Sequence, residues 1–296
     1  MEVPGSGVLP NQWLERALQE RVIDSTVYAI PPRAVQPASL DLRLGERAYR
    51  LQCSFLPGVK SVEERLADLV MVEIDLRDGG VLEQNRPYLV PLLEELDLPP
   101  GIRARANPKS STGRLDVFTR VITDGGAGFD EIRAGYRGRL WLEIVPLSFT
   151  VRVQTRLSLN QLRLIAGEAR CSEAEVRDLH RRTPLLFVHD VPLAESELRV
   201  AGGGVFLSLD FVPSGDGTVG FRAKRNSHLV DMTSTEHEPA NYWETVRGEL
   251  GGLVLEPEDF YLLMSREAVR IPPPVAGEHR SVQHVGVGEN VLAEVA

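Results

Sequence analysis

Apolar residues follow two kinds of spacing along this chain. In Asn11–Ile23 they recur every three or four residues, which predicts an amphipathic helix with Asn11 as its N-cap. Later apolar segments are short and separated by proline and glycine, as is typical of strands. These segments are Ala38–Leu44, Val70–Ile74, Tyr88–Leu93, Asp116–Ile122, Leu140–Val145 and Phe149–Val153. The pattern predicts an all-β barrel or roll with a few short helices.

Two echoes in the sequence indicate a tandem duplication of one β-rich unit. Ser39–Leu42 returns 169 positions later as Ser208–Phe211, and Arg86–Pro100 returns 173 positions later as Asp259–Pro273. The offsets are nearly equal and the order is kept, which favours duplication over coincidence. Between the two copies, the charged stretch Arg170–His180 predicts a short linking helix.

The second copy is predicted to be incomplete. After Pro100 the first copy continues for about another 65 residues of strand-like sequence, whereas only 23 residues follow Pro273. We therefore divide the chain into a first β-roll over residues 1–182 and a shortened second unit over residues 183–296. If the tail does not replace the missing strands, strands within Val205–Met264 expose unpaired edges and the last ~20 residues are poorly ordered.

The composition argues against several classes of protein. The 33 basic residues are outnumbered by 42 acidic ones, and the net charge of −9 argues against binding to duplex nucleic acid. The apolar runs fall far short of the ~20 residues that a membrane span needs, and no signal peptide is visible. Cys53 and Cys171 form no CxxC pair, which points to a reducing compartment. We therefore expect a cytoplasmic protein with no nucleic-acid or membrane partner.

The polar cluster Lys109–Arg114 is a candidate anion site, because it places two cations and three hydroxyls within six residues. Hydroxyls and free backbone N–H groups at a turn form a cradle for anions, and nearby cations neutralise a bound phosphate. A polar turn between two strands is the alternative interpretation. A Walker loop is excluded, since GxxxxGK[ST] does not occur in the sequence.

Glu143 is the candidate acid or base. It lies among large apolar residues in Leu140–Val145, and a carboxyl group buried there would be suited to proton transfer. Strand alternation alone favours the other interpretation, in which Glu143 lies on a solvated face. The histidines lack metal-ligand spacing, and the H-x-E and P-C-x-x-C motifs of zinc nucleobase deaminases are absent, which excludes that zinc chemistry. No G-x-S-x-G elbow occurs in the sequence, which leaves a hydrolase triad of that kind unsupported.

Four motifs, in order along the chain, resemble those of a known family. Val35–Gly45 is similar to the first signature of the dCTP deaminases, and Lys109–Arg114 matches their Ser-Ser-x-x-Arg phosphate motif. Gly135–Gly138 with Leu140–Glu143 matches the turn and strand that end in the family's catalytic glutamate. Asn160–Leu162 resembles the Gln-Leu that follows. The tandem arrangement resembles a longer subgroup, which implies a duplicated dUTPase-like β-roll that forms a homo-oligomer, either a trimer or a pseudo-hexamer of rolls.

The resemblance also implies a reaction: dCTP and water would give dUTP and ammonia. Glu143 would be the general base, Ser110 would help position the water, and Arg114 would support the site through hydrogen bonds. The cations and hydroxyls of the phosphate motif would hold the triphosphate, with Mg²⁺ bridging its oxygens and no protein-held zinc. The implied nucleotide-binding residues are Lys109, Ser110, Ser111, Arg114, Trp141, Leu142, Glu143 and Gln161, with the backbone of Trp141 and Leu142 reading the base.

Arg133 separates two activities found on this fold. In the dUTP diphosphatases a catalytic Asp lies three residues before the Tyr-Arg-Gly turn, and Arg133, which holds that position here, cannot act as a base. The deaminases often carry a nucleotide-contacting Asp there, and Asp124 and Asp130 are both candidates to replace it. A dUTP diphosphatase, or a bifunctional enzyme that carries dCTP to dUMP, is the first alternative. An inactive nucleotide-binding or structural homologue is the second.

Overall fold

The structure is a computed structural model that describes residues 5–248, 253–273, 275–280 and 291–295. Its helices are α1 (Asn11–Gln19), α2 (Val62–Leu69), α3 (Ser110–Gly113) and α4 (Glu173–Arg182), with 3₁₀ turns at Pro32–Ala34, Glu195–Glu197 and Pro239–Asn241. Within these ranges, no helix is both long and apolar enough to cross a membrane. Strands dominate the remainder, and the predicted all-β class is confirmed.

The strands of the first copy are short to medium in length. They are β1 (Gly7–Val8), β2 (Ile23–Asp24), β3 (Val35–Gln36), β4 (Ser39–Arg43), β5 (Arg47–Leu51), β6 (Val70–Asp75), β7 (Gly80–Leu82), β8 (Tyr88–Asp97), β9 (Ile102–Pro108), β10 (Val117–Ile122), β11 (Glu131–Ile132), β12 (Arg137–Pro146), β13 (Val151–Val153) and β14 (Ser158–Ala166).

The later strands are shorter. They are β15 (Leu186–Val188), β16 (Val191–Pro192), β17 (Val200–Ala201), β18 (Gly204–Leu207), β19 (Thr218–Ala223), β20 (Val230–Asp231), β21 (Trp243–Arg247), β22 (Tyr261–Leu263), β23 (Ala268–Val269), β24 (Gly277–Arg280) and β25 (Val291–Val295).

Both predicted helices are present, with different ends. In α1 the N-cap is Pro10, so Asn11 is the first helical residue and the predicted capping role of Asn11 is wrong. The helix ends at Gln19, four residues before the predicted end. The linking helix α4 begins at a capping box, in which the Ser172 side chain and Glu175 satisfy each other's backbone N–H groups. That reciprocal pairing explains why a strongly charged stretch forms a stable helix start.

The described contacts divide the chain into two compact units. The first unit comprises residues up to Gly167 together with Ala223–Trp243, and the second comprises Glu168–Arg222 together with the residues from Glu244 onward. This division is interleaved, unlike the predicted consecutive division at residues 182 and 183. The difference arises because β20 pairs with β13 of the first unit, and Phe149 packs against the rings of Tyr242 and Trp243.

The first unit is built on two six-stranded antiparallel sheets. Sheet A has the strand order β11-β9-β14-β4-β3, with β1 also pairing with β14. Sheet B has the order β10-β12-β8-β5-β6, with β2 also pairing with β8. Fully buried apolar side chains from both sheets, such as Leu42, Leu142 and Leu162, form the core. Their burial provides the rigid frame for any site on the outer faces.

The second unit contains three smaller sheets, with the orders β16-β15-β23, β17-β18-β25-β24 and β21-β19-β22. A separate apolar cluster under α4 forms its core. The buried members of this cluster are Val176, Leu185, Leu186, Leu198, Val205 and Leu207. The second unit therefore has a hydrophobic core of its own, as expected for a compact domain.

The duplication is visible in the pairing of the strands. Leu44 bridges to Leu92, and at the corresponding place Leu209 bridges to Ser265. The offsets are 165 positions for the first partner and 173 for the second. The 173-residue echo is therefore in register, whereas the echo between Ser39–Leu42 and its 169-residue counterpart is out of register by four positions. The physical reason is that positions in the two copies correspond when they make the same backbone pairings, and a short sequence match does not guarantee those pairings.

The tail of the chain completes a sheet of the second unit. In sheet A, Leu162 pairs with Leu40 on one side and with Ala106 on the other. In the second unit, Ala293 pairs in the same way with Val205 on one side and with His279 on the other. The order β17-β18-β25-β24 therefore repeats β3-β4-β14-β9. The prediction that β18 loses its partner at this edge is wrong, because the chain returns to pair with it. The predicted disorder of the tail falls partly on residues 274, 281–290 and 296, which lie outside the described residues.

Candidate active site

Strand β12 carries Glu143 in the middle of sheet B. Its neighbours are β10 and β8, and the register places Glu143 opposite Arg120 on one side and Leu89 on the other. The Glu143 side chain is fully buried. The prediction from alternation that Glu143 lies on a solvated face is therefore wrong, because a further layer of chain covers this face of the sheet.

The covering layer is the segment between β5 and β6, which contains α2. Val62 and Leu66 of α2 pack against Trp141 and Ile122 of the sheet. The helix begins at a capping box formed by Ser61. Burial of these apolar side chains excludes water from one side of Glu143, and this strengthens the electrostatic interactions of its carboxylate.

Two polar side chains satisfy the Glu143 carboxylate. Arg120 Nε donates to Oε1 at 2.9 Å, and its Nη2 lies 2.8 Å from the same oxygen. Ser54 Oγ donates to Oε2 at 2.7 Å and accepts from Arg120 Nη2 at 2.6 Å. The three groups form a closed hydrogen-bonded ring. A buried carboxylate requires such partners, since an unpaired one costs several kcal/mol.

The two aspartates that were candidates to replace the missing Asp have different environments. Asp124 Oδ1 accepts from the backbone N–H of Val62 at 2.7 Å and so holds the first turn of α2. Asp130 Oδ1 accepts from the backbone N–H of Val121 at 2.8 Å, and burial raises the pKa of Asp130 to about 7. Arg133 is exposed, and it donates to the carbonyl of Gly125 at 3.4 Å. Asp130 is therefore the aspartate tied to the strand that carries Arg120.

The predicted phosphate motif forms the short helix α3, at the end of β9. Thr112 is buried and donates from its hydroxyl to the carbonyl of Leu159 at 2.8 Å, which anchors the turn. Lys109 Nζ donates to Asp41 Oδ2. The Ser110, Ser111 and Arg114 side chains are exposed. The motif thus presents two hydroxyls and a guanidinium outward from a fixed turn.

The structure does not bring all the predicted site residues together. Among the described residues, no hydrogen bond or ion pair joins Glu143 to the segment Lys109–Arg114. Gln161 lies on β14 of sheet A, where its Oε1 accepts from the Ser39 hydroxyl at 2.8 Å. Trp141 and Leu142 are buried, and both are paired on each side within sheet B. The predicted contacts of these residues with a nucleotide remain predictions.

Comparison with known proteins identifies the family. The model of the 2'-deoxycytidine 5'-triphosphate deaminase (DCD) N-terminal domain matches residues 5–168, and that of the DCD C-terminal domain matches residues 172–290. The first of these matches alone spans more than half of the chain. The chain belongs to the dCTP deaminase family.

One solved structure and two curated sequences of dCTP deaminases are similar to this chain. A crystal structure of the enzyme from Agrobacterium tumefaciens is 36% identical, with a TM-score of 0.85 over 99% of this chain and 93% of that one. The dCTP deaminase of Halorubrum lacusprofundi is 31% identical over 38% of this chain and 54% of its own length. The "dCTP deaminase, dUMP-forming" of Halobacterium salinarum is 32% identical over 39% and 60%. The chain thus spans a little over half the length of these curated relatives.

Sequence reasoning missed two residues that bind the carboxylate of Glu143, the candidate base. Arg120 and Ser54 contact Glu143 across the sheet and from the covering segment, so neither is near it in sequence. A positively charged residue inside the apolar strand Val117–Ile122 was the available signal. It pointed to a buried acidic partner, but only the register of β10 against β12 identifies that partner as Glu143.

The second unit of this family member repeats part of sheet B. Tyr49 pairs with Leu89, and correspondingly Phe221 pairs with Leu262. The order β22-β19-β21 therefore repeats β8-β5-β6. Over the described ranges, no strand of the second unit corresponds to β10 or β12. In the part of the chain that the structure describes, Arg120 and Glu143 thus lie on strands of the first copy alone.

Proposed function

We propose that this protein catalyses the hydrolytic deamination of dCTP, giving dUTP and ammonia. The observation that carries the proposal is the buried Glu143, held by Arg120 and Ser54 on the strand where the family resemblance places the catalytic glutamate. Membership of the dCTP deaminase family supports the same reaction. A carboxylate fixed in a water-poor site is a suitable general base.

In this mechanism Glu143 accepts a proton from a water molecule. The resulting hydroxide adds to the ring carbon that bears the amino group, and Glu143 delivers the accepted proton to the ring nitrogen. Glu143 then takes the proton of the newly added hydroxyl group and delivers it to the departing amine, so that the carbon–nitrogen bond breaks and ammonia leaves. Ser110 would help position the water and Arg114 would support the site. Positioned acid–base catalysis of this kind contributes roughly 10²–10⁴-fold to the rate.

The outward-facing hydroxyls and guanidinium of α3 suit the triphosphate of the nucleotide. Lys109, Ser111 and Arg114 would contact its oxygens, with Mg²⁺ arriving as part of the nucleotide complex. In the described part of the chain, no cluster of three or more histidine, cysteine or acidic side chains is arranged to hold a metal ion.

The separation of the phosphate motif from Glu143 supports assembly into a homo-oligomer. Ser110, Ser111 and Arg114 are exposed in one chain, while Glu143 is buried beneath its own covering segment. We infer that copies of the chain associate so that both sets of residues reach one nucleotide. A trimer, or a pseudo-hexamer of duplicated rolls, provides such an arrangement.

Ammonia release tests the proposed function. Purified protein with Mg²⁺ is expected to release ammonia from dCTP, and much less from CTP. Conversion of dCTP should depend on intact Glu143. Binding of dCTP without any ammonia release would contradict the proposal and support an inactive nucleotide-binding homologue.

A dUMP-forming enzyme is the second candidate, favoured by the name of the Halobacterium salinarum relative. Such an enzyme also cleaves the nucleotide between its α- and β-phosphates. Asp130, which accepts from the backbone N–H of Val121 next to Arg120, is our candidate carboxylate to activate a second water molecule. Pyrophosphate released together with ammonia from dCTP would support this candidate, whereas dUTP as the final product would exclude it.

A further inference from the structure

The hydroxyl oxygen of Ser54 bridges Glu143 and Arg120, which also contact each other directly. Ser54 Oγ donates to Glu143 Oε2 at 2.7 Å and accepts from Arg120 Nη2 at 2.6 Å. Ser54 is exposed, whereas Glu143 is not. The serine hydroxyl therefore occupies the solvent side of the buried ion pair.

This arrangement matches the requirements of an attacking water molecule. Such a molecule must donate a proton to the general base, while a second group donates to its oxygen and fixes its direction. The Ser54 hydroxyl makes the same two bonds, one as a donor and one as an acceptor. Its position is thus the position that a nucleophilic water bound to Glu143 would take.

Arg120 is held more firmly than a surface arginine. Its guanidinium lies 3.6 Å from the ring centre of Phe129 and 5.1 Å from that of Phe118. Only about a fifth of its side chain is exposed, at 22%. A planar guanidinium that is stacked and bonded to two acceptors cannot be replaced by an ammonium group without loss of geometry.

We propose that Arg120 is a positioning residue for the deamination, which orients both Glu143 and the water that Glu143 deprotonates. This inference rests on the proposed function. During the reaction the Ser54 hydroxyl yields its place to water, the proton passes from water to Glu143 Oε2, and the hydroxide bonds to the ring carbon. Glu143 passes this proton to the ring nitrogen and then carries the proton of the new hydroxyl group to the amine. The carbon–nitrogen bond breaks and ammonia leaves, while Arg120 keeps its own proton throughout.

The kinetics of Arg120→Met and Arg120→Lys test this role. Because small misplacements of reacting groups are costly, kcat of Arg120→Met is expected to fall roughly 10²-fold. KM should stay within about threefold, since the lost interaction acts in the transition state. Arg120→Lys should recover part of the loss. Arg47→Met is the matched control, because Arg47 forms an exposed ion pair with Glu73 on the same sheet.

A second measurement covers variants that fold poorly. The turnover of Arg120→Ala, normalised to the amount of protein that binds dCTP, should rise when guanidinium ion is added. The turnover of Glu143→Gln should not respond to guanidinium. A well-folded Arg120→Met with normal kcat, or no response of Arg120→Ala to guanidinium, would overturn the inference alone. A wild-type protein that releases no ammonia would overturn the proposed function and the inference together.

Discussion

The two copies of the repeated unit bury corresponding glutamates in different surroundings. Glu94 is fully buried and accepts from both the backbone N–H and the guanidinium of Arg43, at 2.7 and 2.6 Å. Glu267 accepts from the backbone N–H of Ser208 at the same 2.7 Å, and a serine stands where the arginine would be. Both glutamates accept a backbone N–H bond at corresponding places, so the role common to the two copies is to join neighbouring segments of the chain. The ion pair is an addition of the first copy.

The same contrast extends to the candidate site. The first copy carries β10 and β12, with Arg120 and Glu143 in a buried ion pair, whereas no described strand of the second copy corresponds to them. The two described buried ion pairs, Arg43–Glu94 and Arg120–Glu143, therefore lie in the first copy, whereas the second copy repeats part of the strand order without them. Buried charges weaken a fold unless they are paired, and buried titratable groups cluster at functional sites. Their concentration in the first copy therefore supports the choice of that copy as the candidate site.

Arg43→Met should produce the largest change in stability. It leaves Glu94 buried without its cation, and breaking a buried ion pair from one side typically costs 3–5 kcal/mol, so we expect a loss of about that size. Urea unfolding of the full chain measures it. Ser208→Ala, at the corresponding place in the second copy, keeps the backbone bond and should cost less than about 0.5 kcal/mol. Equal losses in the two variants would show that the copies do not differ in this way.

Arg114→Ala should weaken the phosphate site of the first copy. Truncating a cation that pairs with a desolvated phosphate costs roughly 2–5 kcal/mol, which here would appear as a fall in kcat/KM for dCTP. Arg137→Ala is the control, because Arg137 is 80% exposed. Unchanged kinetics in Arg114→Ala would mean that α3 is only a polar turn.

Asp130 should give the first copy a pH-dependent stability. Burial raises its pKa to about 7, against roughly 3.9 in an unfolded chain. Between these values the folded protein retains a proton that the unfolded chain has released, so stability should fall as the pH rises from about 4 to about 7. Asp130→Asn keeps the acceptor for Val121 and should flatten this slope. A slope that is unchanged in the variant would place the titrating group elsewhere.

The smallest expected effect concerns local protection from hydrogen exchange. The amides of Leu140–Val145 lie on β12, which has neighbours on both sides, whereas β22 has only β19 as a neighbour among the described strands. Amides of Tyr261–Leu263 should therefore exchange well before those of β12. Equal protection would show that the smaller sheet of the second copy is as cooperative as sheet B.

Much of the architecture could be predicted from local patterns. The strands, α1 and α4 follow from apolar spacing and turn residues, and the 173-residue echo is confirmed by the pairing of Leu92 and Ser265 with their partners. The 169-residue echo was misleading, because a match of four residues can occur by chance at the wrong offset. The backbone pairing of the strands gives the true offset, which is 165 positions there. The return of the tail to β18 was not predictable, since residues after Pro273 carry little apolar pattern.

The candidate site was only partly accessible to sequence reasoning. Glu143 was identified by its apolar neighbours and by the family motif, but its burial depends on a segment more than 70 residues earlier. Ser54 has no local signal at all, because it reaches Glu143 from a loop with no strand register of its own. Contacts that depend on the register of paired strands, or on a loop that folds over a sheet, can be identified only from the three-dimensional structure.

The central claim is that catalysis belongs to the first copy and depends on Glu143. Ammonia release from dCTP should be compared between Glu143→Gln and Glu267→Gln, with each rate normalised to the amount of protein that binds dCTP. Glu143→Gln keeps the shape of the side chain but cannot accept the proton, so turnover should fall roughly 10²–10⁴-fold. Glu267→Gln should retain turnover per folded molecule. A Glu143→Gln variant with more than about half of the wild-type turnover, where a general base predicts at least a hundredfold loss, would contradict the account.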